Sequence, residues 1–310
     1  MTQLFSPNGT PASRLTFGTM QFGGNADAAQ SRAMYDTALK AGITHFDTAF
    51  VYTDGASETL LGQMVGDNRD DLVIATKAAY VGGSTRKNIL KHFDVSRDRL
   101  QMDMVDLLYL HRFDDDTPLE DTFDALASLQ KDNKIKYIGV SNFAAWQVMK
   151  AQSVAAKLGT RIDVIQPMYN LVKRQAEVEI MPMCIDQDIE IIPYSPLGGG
   201  ILTGKYGRGE TGRLTEDDRY AARYAQPWMH DAATAFSALS SDLNIAPATL
   251  AVAWAAHHPS GPKPIVSARN VGQLVPSLDA MNYDMNSDLY DKITALTPTP
   301  APATDRLEEA

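Results

Sequence analysis

Short apolar runs alternate with amphipathic stretches along most of this chain, and several runs end on an ionisable residue. Gly42-Ile43-Thr44-His45-Phe46 stops at Asp47, Leu72-Val73-Ile74-Ala75-Thr76 stops at Lys77, and Val105-Asp106-Leu107-Leu108-Tyr109-Leu110 stops at His111. Each has the length and apolar content of a buried strand. Further strands are expected at residues 15–19, 135–140, 163–166, 190–194 and 264–266. Helix-length stretches lie between them. Residues 28–41 end at Gly42, a helix stop signal. Residues 118–131 put Leu119, Phe123, Leu126 and Leu129 on one face. Ser141 or Asn142 is expected to cap the helix that carries Trp146 and Met149.

This rhythm predicts eight strands, each followed by a helix or by a loop leading to one. Right-handed crossovers of that kind close most simply into an α/β fold of the (β/α)8, or TIM-barrel, type. Asn8-Gly9 predicts a hairpin ahead of the barrel. Residues 198–228, after the seventh strand, form a loop far longer than usual, read either as a lid or binding loop or as a disordered excursion. Residues 297–302, rich in proline, read as an extended or frayed end. No linker breaks the pattern, so residues 1–310 are expected to form one domain.

Composition narrows the function. The chain has 310 residues with 28 basic against 38 acidic side chains, a net charge of −10. That balance argues against nucleic acid or an anionic membrane as partner, while leaving room for a small basic pocket for a phosphate. Cys184 is the single cysteine and reads as a buried helix residue, so neither a disulfide framework nor a cysteine-based zinc site is available. No His-Glu-x-x-His and no carboxylate cluster has ligand spacing, so no metal is expected. With no signal-like core in residues 1–13 and no membrane-length apolar stretch, a cytoplasmic protein is expected.

In a parallel barrel the carboxyl ends of all strands open onto one face, where chemistry collects. Asp47, Tyr52, Lys77 and His111 would then share one mouth. A free phenol titrates near ~10, so Tyr52 needs help to exchange a proton at neutral pH. An ammonium at Lys77 would stabilise the phenolate, Asp47 would hold Lys77 charged, and His111 would orient a carbonyl oxygen or assist the proton transfer. Taken singly, each residue also has a structural reading: a packed tyrosine, strand-end charges facing solvent, a hydrogen-bonded histidine. No Gly-x-Gly-x-x-Gly follows the first strand, so a Rossmann site is not supported.

Longer motifs surround these residues. They are Phe46-Asp47-Thr48-Ala49-Phe50-Val51-Tyr52, Gly55-Ala56-Ser57-Glu58-Thr59-Leu60-Leu61-Gly62, Thr76-Lys77, Leu110-His111, and Ile138-Gly139-Val140-Ser141-Asn142-Phe143. Gln166-Pro167-Met168-Tyr169-Asn170 and Tyr194-Ser195-Pro196-Leu197-Gly198-Gly199-Gly200 follow. In order and spacing the chain resembles the aldo-keto reductase superfamily from about Leu15 to Ala280. The resemblance implies a TIM barrel that binds NADP(H) across the strand ends and reduces a small-molecule carbonyl. It makes Tyr52 the general acid, Lys77 its activating amine, Asp47 the lysine's partner and His111 the carbonyl-orienting imidazole.

The resemblance also implies that Ser141, Asn142 and Gln166 bind the nicotinamide carboxamide and that Tyr194 stacks on the ring. Ser195, Leu197, Gly199 and Lys205 would cross the pyrophosphate, Ser267 and Arg269 would hold the adenosine 2′-phosphate, and Gln273 would meet the adenine. At the first strand exit Thr19 and Met20 count with the cofactor contacts, while Met20 and Phe22 read as substrate-pocket walls, with the core as the alternative for either. Arginine reads phosphate through a planar charged fork, which favours NADPH over NADH. One departure is Ser277, preceded by Pro276, where many relatives have Asn. Small aldehydes, sugars and pyridoxal-like compounds all suit such a site. Arg112 and Arg213 are open either to an anionic substrate or to pairing with Asp114 to Asp116 or Glu216. Rival readings are a dehydrogenase working oxidatively, a cofactor-binding channel subunit, and a lyase or isomerase using Lys77 as a Schiff-base amine.

Overall fold

A computed structural model describes residues 2–306 and 308; residues 1, 307, 309 and 310 of the expected domain lie outside the described part. Eight strands form one parallel sheet: β1 (Thr16–Gly18), β2 (His45–Asp47), β3 (Val73–Ala78), β4 (Val105–Leu110), β5 (Ile135–Ser141), β6 (Val164–Gln166), β7 (Glu190–Ile191) and β8 (Ile265–Val266). From β1 to β7 each strand pairs with the next, and β8 pairs with β1. The seam between β7 and β8 is closed by two backbone bonds, Lys263 N–H to the Ile191 carbonyl (2.9 Å) and Ile265 N–H to the Pro193 carbonyl (2.8 Å). The result is the expected (β/α)8 barrel.

Helices α1 (Ala28–Lys40), α2 (Ala56–Val65), α3 (Arg86–Leu100), α4 (Leu119–Lys131), α5 (Ala145–Lys157) and α6 (Ile180–Gln187) connect the strands through β7. After β7 come the short α7 (Arg213–Glu216) and α8 (Asp218–Arg223), then α9 (Pro227–Asp242), α10 (Pro247–His257), α11 (Val271–Leu278) and α12 (Ser287–Thr294). No helix among the described residues is long and apolar enough to cross a membrane.

Strand residues divide by parity, because successive side chains leave a strand on opposite faces. Val73, Ala75, Leu107, Tyr109, Val164, Ile192 and Ile265 fill the barrel interior, while Ile74, Leu108, Leu110, Ile138 and Ile165 pack outward against the helices. Gly139 belongs to the inward set of β5, and a side chain there would run into the Tyr109 ring. Lys77, His111, Ser141, Gln166, Tyr194 and Ser267 are the next inward positions after these core residues. The parity that builds the core therefore also delivers polar groups to the mouth.

The predicted hairpin is present as one antiparallel bridge, Phe5 to Pro11, with Gly9 at φ +91°. Leu4 and Ala12 from its two arms pack into the interior cluster and floor the barrel. The seventh strand is shorter than expected. Pro193 has no N–H to give the ladder, and Tyr194 rejoins only through a bridge to Met168. The cap prediction for α5 is corrected: Ala144 precedes the helix, and its N–H donates to Gln147 Oε1 at 2.8 Å. Asn142 is instead left-handed (φ +59°), with its amide turned to the mouth. Residues 198–228 fold into short helical turns with Ile201, Leu202 and Tyr224 buried, and Trp228 already belongs to α9. Cys184 is buried on α6 as expected, and burial pushes its thiol up to about 12.

The interior also contains His45, fully buried, with Nδ1 3.1 Å from Thr16 Oγ1 and Nε2 without a partner. Burial, then the charges of Lys263 and Lys77, lowers its pKa to about 3. An unfolded chain takes up this proton near ~6.5, whereas the native chain refuses it until about pH 3. Its share of stability is therefore present above the unfolded value and is lost as pH falls below it, by up to about 1.4 kcal/mol per pH unit. Asp163, pushed up to about 6 by burial, acts in the opposite sense: over the same acid range the native chain holds a proton that the unfolded chain releases. Only a difference measurement isolates His45. The stability gap between the wild type and His45→Gln, from urea midpoints, should narrow from pH 7 to pH 5; a constant gap would mean that native His45 protonates freely.

Candidate active site

Asp47 closes β2 and Lys77 lies one residue inside the end of β3; they are 2 % and 1 % exposed. The Lys77 ammonium donates to Asp47 Oδ1, to the Thr48 carbonyl (2.8 Å) and to the Tyr52 hydroxyl (3.3 Å), which uses all three of its protons. Asp47 Oδ2 accepts from Gln166 Nε2 at 2.9 Å, so the carboxylate is gripped from both sides.

Tyr52 lies beyond β2, and its place is set by a turn in which Thr53, Asp54 and Gly55 are all left-handed (φ +47°, +53° and +95°). A side chain on Gly55 would run into the Arg99 guanidinium. Arg99 reaches from α3 to the Phe50 carbonyl (2.8 Å) and to Glu58 Oε2 (3.1 Å). Glu58, fully buried, takes the Thr76 hydroxyl at 2.6 Å on its other oxygen. This strap ties the loop before Tyr52 to the residue before Lys77. The sequence placed Glu58 inside a motif without a role, and nothing in it linked Glu58 to Arg99, 41 positions away.

Burial pushes the Tyr52 phenol above its ordinary range, and the Lys77 charge offsets this only in part. The expected stabilisation of a phenolate is thus outweighed, and the group is a protonated phenol at neutral pH. Burial works against the Lys77 charge, but Asp47 and the Tyr52 oxygen outweigh it and hold the ammonium. Burial likewise raises Asp47, against the pull of Lys77 and Gln166.

His111 follows β4 and is 8 % exposed. Its ring meets Tyr52 nearly at right angles (centroids 5.8 Å, 85°) and lies 4.8 Å from the Tyr80 ring. Burial, then Lys77 and Arg112, lowers its pKa to about 3, so the imidazole is neutral. Nδ1 is buried without a partner, which leaves Nε2 as the nitrogen able to meet a ligand. A neutral imidazole and a protonated phenol, side by side above a fixed ammonium, can together hydrogen-bond one oxygen and hand it a proton. Arg112 lies over Tyr80 (5.0 Å) rather than pairing with Asp114, which is taken by the Ser84 N–H (2.7 Å) and the Thr117 hydroxyl (2.6 Å). Tyr80 closes no apolar run, so the sequence carries no local signal for its place beside His111.

Around the mouth Ser141, Asn142 and Gln166 form a linked set. Ser141 donates to the Gln166 carbonyl (3.0 Å), and Asn142 Nδ2 donates to the His111 carbonyl (3.0 Å). The Tyr194 hydroxyl donates to Asn142 Oδ1 (2.8 Å), which fixes its ring. These amides and hydroxyls have the donor and acceptor chemistry of a carboxamide site. Along the following loop Ser195 is left-handed (φ +61°), Leu197 is half-buried, and the Gly199 carbonyl accepts from the Tyr206 hydroxyl (2.9 Å). The Ser267 hydroxyl is buried with no partner. Nearby, the Arg269 N–H donates to Gln273 Oε1 (3.2 Å), and its guanidinium meets Glu216 Oε2 at 3.0 Å. Arg269 and Arg213 both lie close enough to Lys205 for their charges to oppose its own. That grouping, with an orphaned hydroxyl beside it, suits a phosphate ester.

Two expectations change, at Phe22 and Thr19. Phe22 is 0 % exposed and packs on Phe17 (5.6 Å), so it belongs to the core and walls no pocket. Thr19 is also fully buried, its hydroxyl spent on the Asp47 carbonyl (3.1 Å) and Ser57 (2.8 Å), while Met20 alone of this strand exit remains half-open. Ser277 is buried with an unpartnered hydroxyl, facing away from solvent.

Comparison with known proteins agrees with this layout. The Aldo/keto reductase family model matches residues 14–298. A probable voltage-gated potassium channel subunit beta of Oryza sativa subsp. japonica is 31 % identical over 93 % of this chain and 94 % of its own length. The uncharacterized oxidoreductase YrpG of Bacillus subtilis (strain 168) is 31 % identical over 94 % of each chain. Aflatoxin B1 aldehyde reductase member 2 of Homo sapiens is 38 % identical over 61 % of this chain and 54 % of its own. With the match spanning nearly every strand and helix of the barrel, this chain belongs to the aldo/keto reductase family.

Proposed function

We propose that the protein reduces an aldehyde or ketone to the alcohol with NADPH, and that Tyr52 supplies the proton. The observation that carries this is the protonated Tyr52 phenol 3.3 Å from an ammonium that Asp47 holds in place. A carbonyl oxygen lodged between the Tyr52 hydroxyl and His111 Nε2 takes a hydrogen bond from each. As negative charge grows on that oxygen, both donors are already aimed at it, which is where such a site gains most. The cofactor supplies the hydride. Tyr52 gives its proton to the oxygen, and Lys77 stabilises the phenolate left behind until solvent reprotonates it.

Ser141, Asn142 and Gln166 hold the carboxamide and Tyr194 fixes the ring face. Ser195, Leu197, Gly199 and Lys205 line the pyrophosphate. Ser267, Arg269 and Gln273 hold the phosphorylated adenosine, with the N-terminal amides of α11 aimed at the same charge. Likeness to an aflatoxin aldehyde reductase supports an aldehyde substrate. Likeness to a channel subunit supports a regulatory role as second reading, against which the complete Asp47, Tyr52, Lys77 and His111 set stands.

Calorimetric titration with NADPH and NADH, followed by NADPH consumption against a panel of aldehydes, sugars and ketones, tests the reading. NADPH should bind and be consumed with at least one carbonyl class. Binding of neither dinucleotide would overturn the reductase assignment, and binding without turnover of any carbonyl would favour the regulatory role.

A further inference from the structure

Arg269 does not wait empty for a phosphate. Glu216, on α7 in the long segment after β7, places Oε2 3.0 Å from its Nη2, with the two side chains 45 % and 36 % exposed. Lys205 belongs to the same group of charges, opposed by Arg269 and by Arg213 and favoured by Glu216. The other carboxylate nearby, Glu210, is drawn to Arg208 at 2.7 Å. Glu216 is therefore the anion set among three cations, on the guanidinium read above as the 2′-phosphate partner. A carboxylate and a phosphate compete for one guanidinium, because both present oxygens to the same N–H fork. An acidic side chain at an adenosine ribose has a second effect: it accepts a free 2′-hydroxyl and repels a 2′-phosphate.

We propose that Glu216 discriminates between coenzymes, standing on Arg269 in place of the 2′-phosphate. It lowers the advantage of NADPH below what three cations alone would give, and it offers the 2′-hydroxyl of NADH an acceptor. NADPH binding must displace the Glu216 carboxylate from Arg269, whereas NADH binding leaves the contact in place. This rests on the cofactor reading given above.

The test is calorimetric titration of the wild type, Glu216→Gln, Arg269→Gln and the double variant with NADPH, NADH and adenosine 2′,5′-bisphosphate. In Glu216→Gln, NADPH and the bisphosphate should bind about three- to fivefold tighter, the span that an exposed ion pair commands, with NADH unchanged or weaker. In the Arg269→Gln background the same change should have little effect on the ratio of the two dinucleotides. An unchanged ratio in Glu216→Gln would overturn the inference while leaving the cofactor reading intact. An equal gain with and without Arg269 would replace direct competition by a long-range charge effect, and so would overturn it too. Absence of all dinucleotide binding in the wild type would sink the cofactor reading itself and this inference with it.

Discussion

Replacement of Tyr52 by Phe is expected to lower carbonyl turnover by about 10²- to 10⁴-fold, the span attributed to a positioned general acid. Binding of NADPH should change by no more than about twofold, because the lost atom faces the substrate side. Phe keeps the ring that meets His111 and lies 4.9 Å from the Lys77 ammonium. Lys77 loses its longest hydrogen bond but retains Asp47 and the Thr48 carbonyl. The fold should therefore tolerate the change at about 1 kcal/mol. Single-turnover rates and calorimetric affinities on one preparation separate the two effects. A variant that turns over within about threefold of the wild type would show that the proton comes from elsewhere, with His111 the next group to examine.

The second large effect concerns stability as well as rate. Asp47→Ala leaves the Lys77 ammonium buried beside no counter-charge, and breaking such a pair costs about 3–5 kcal/mol. It also leaves Gln166 Nε2 without its acceptor. Turnover should collapse with stability. Replacing both partners with apolar groups, Asp47→Leu with Lys77→Met, removes the stranded charge and should recover much of the stability while leaving the enzyme inactive. Urea unfolding beside activity makes the comparison. If the double variant were as unstable as Asp47→Ala, the loss would lie in packing rather than in the unpaired charge. A single variant that kept full stability would mean that Lys77 is neutral in the folded protein.

The strand positions were legible because apolar runs ending on Asp47, Lys77 and His111 carry a local signature, and strand parity then settles where the next side chain points. Tyr52 was legible only by its nearness to Asp47, since it closes no apolar run and its exact position depends on three left-handed residues in succession. The Glu58–Arg99 strap was not legible: it joins two helices through a carboxylate whose importance comes from burial, a tertiary property. The same holds for the pairing of Glu216 with Arg269, which no local pattern joins and the fold brings together. Phe22 misled because a residue at a strand exit can turn inward as easily as toward the mouth, and here Phe17 offers it a core partner. The seventh strand was overestimated because runs of apolar residues do not reveal how far a proline shortens a ladder.

The alternation of each strand has a consequence for how this enzyme can change over time. Deletion of one residue within β3 would send Lys77 to the helix-facing layer and bring Thr76 or Ala78 to the mouth, abolishing the chemistry while preserving composition almost entirely. On the proposed role of Lys77, insertions and deletions are thus barred from the strands by the reaction as much as by the core. Substitutions are not. At the top of each strand one inward position meets no helix, so a new group there alters what the mouth can do without repacking the layer outside. Inheritance of the scaffold is rigid in register and permissive in identity, and new specificities should arise by exchange at those few top positions and in the segment after β7.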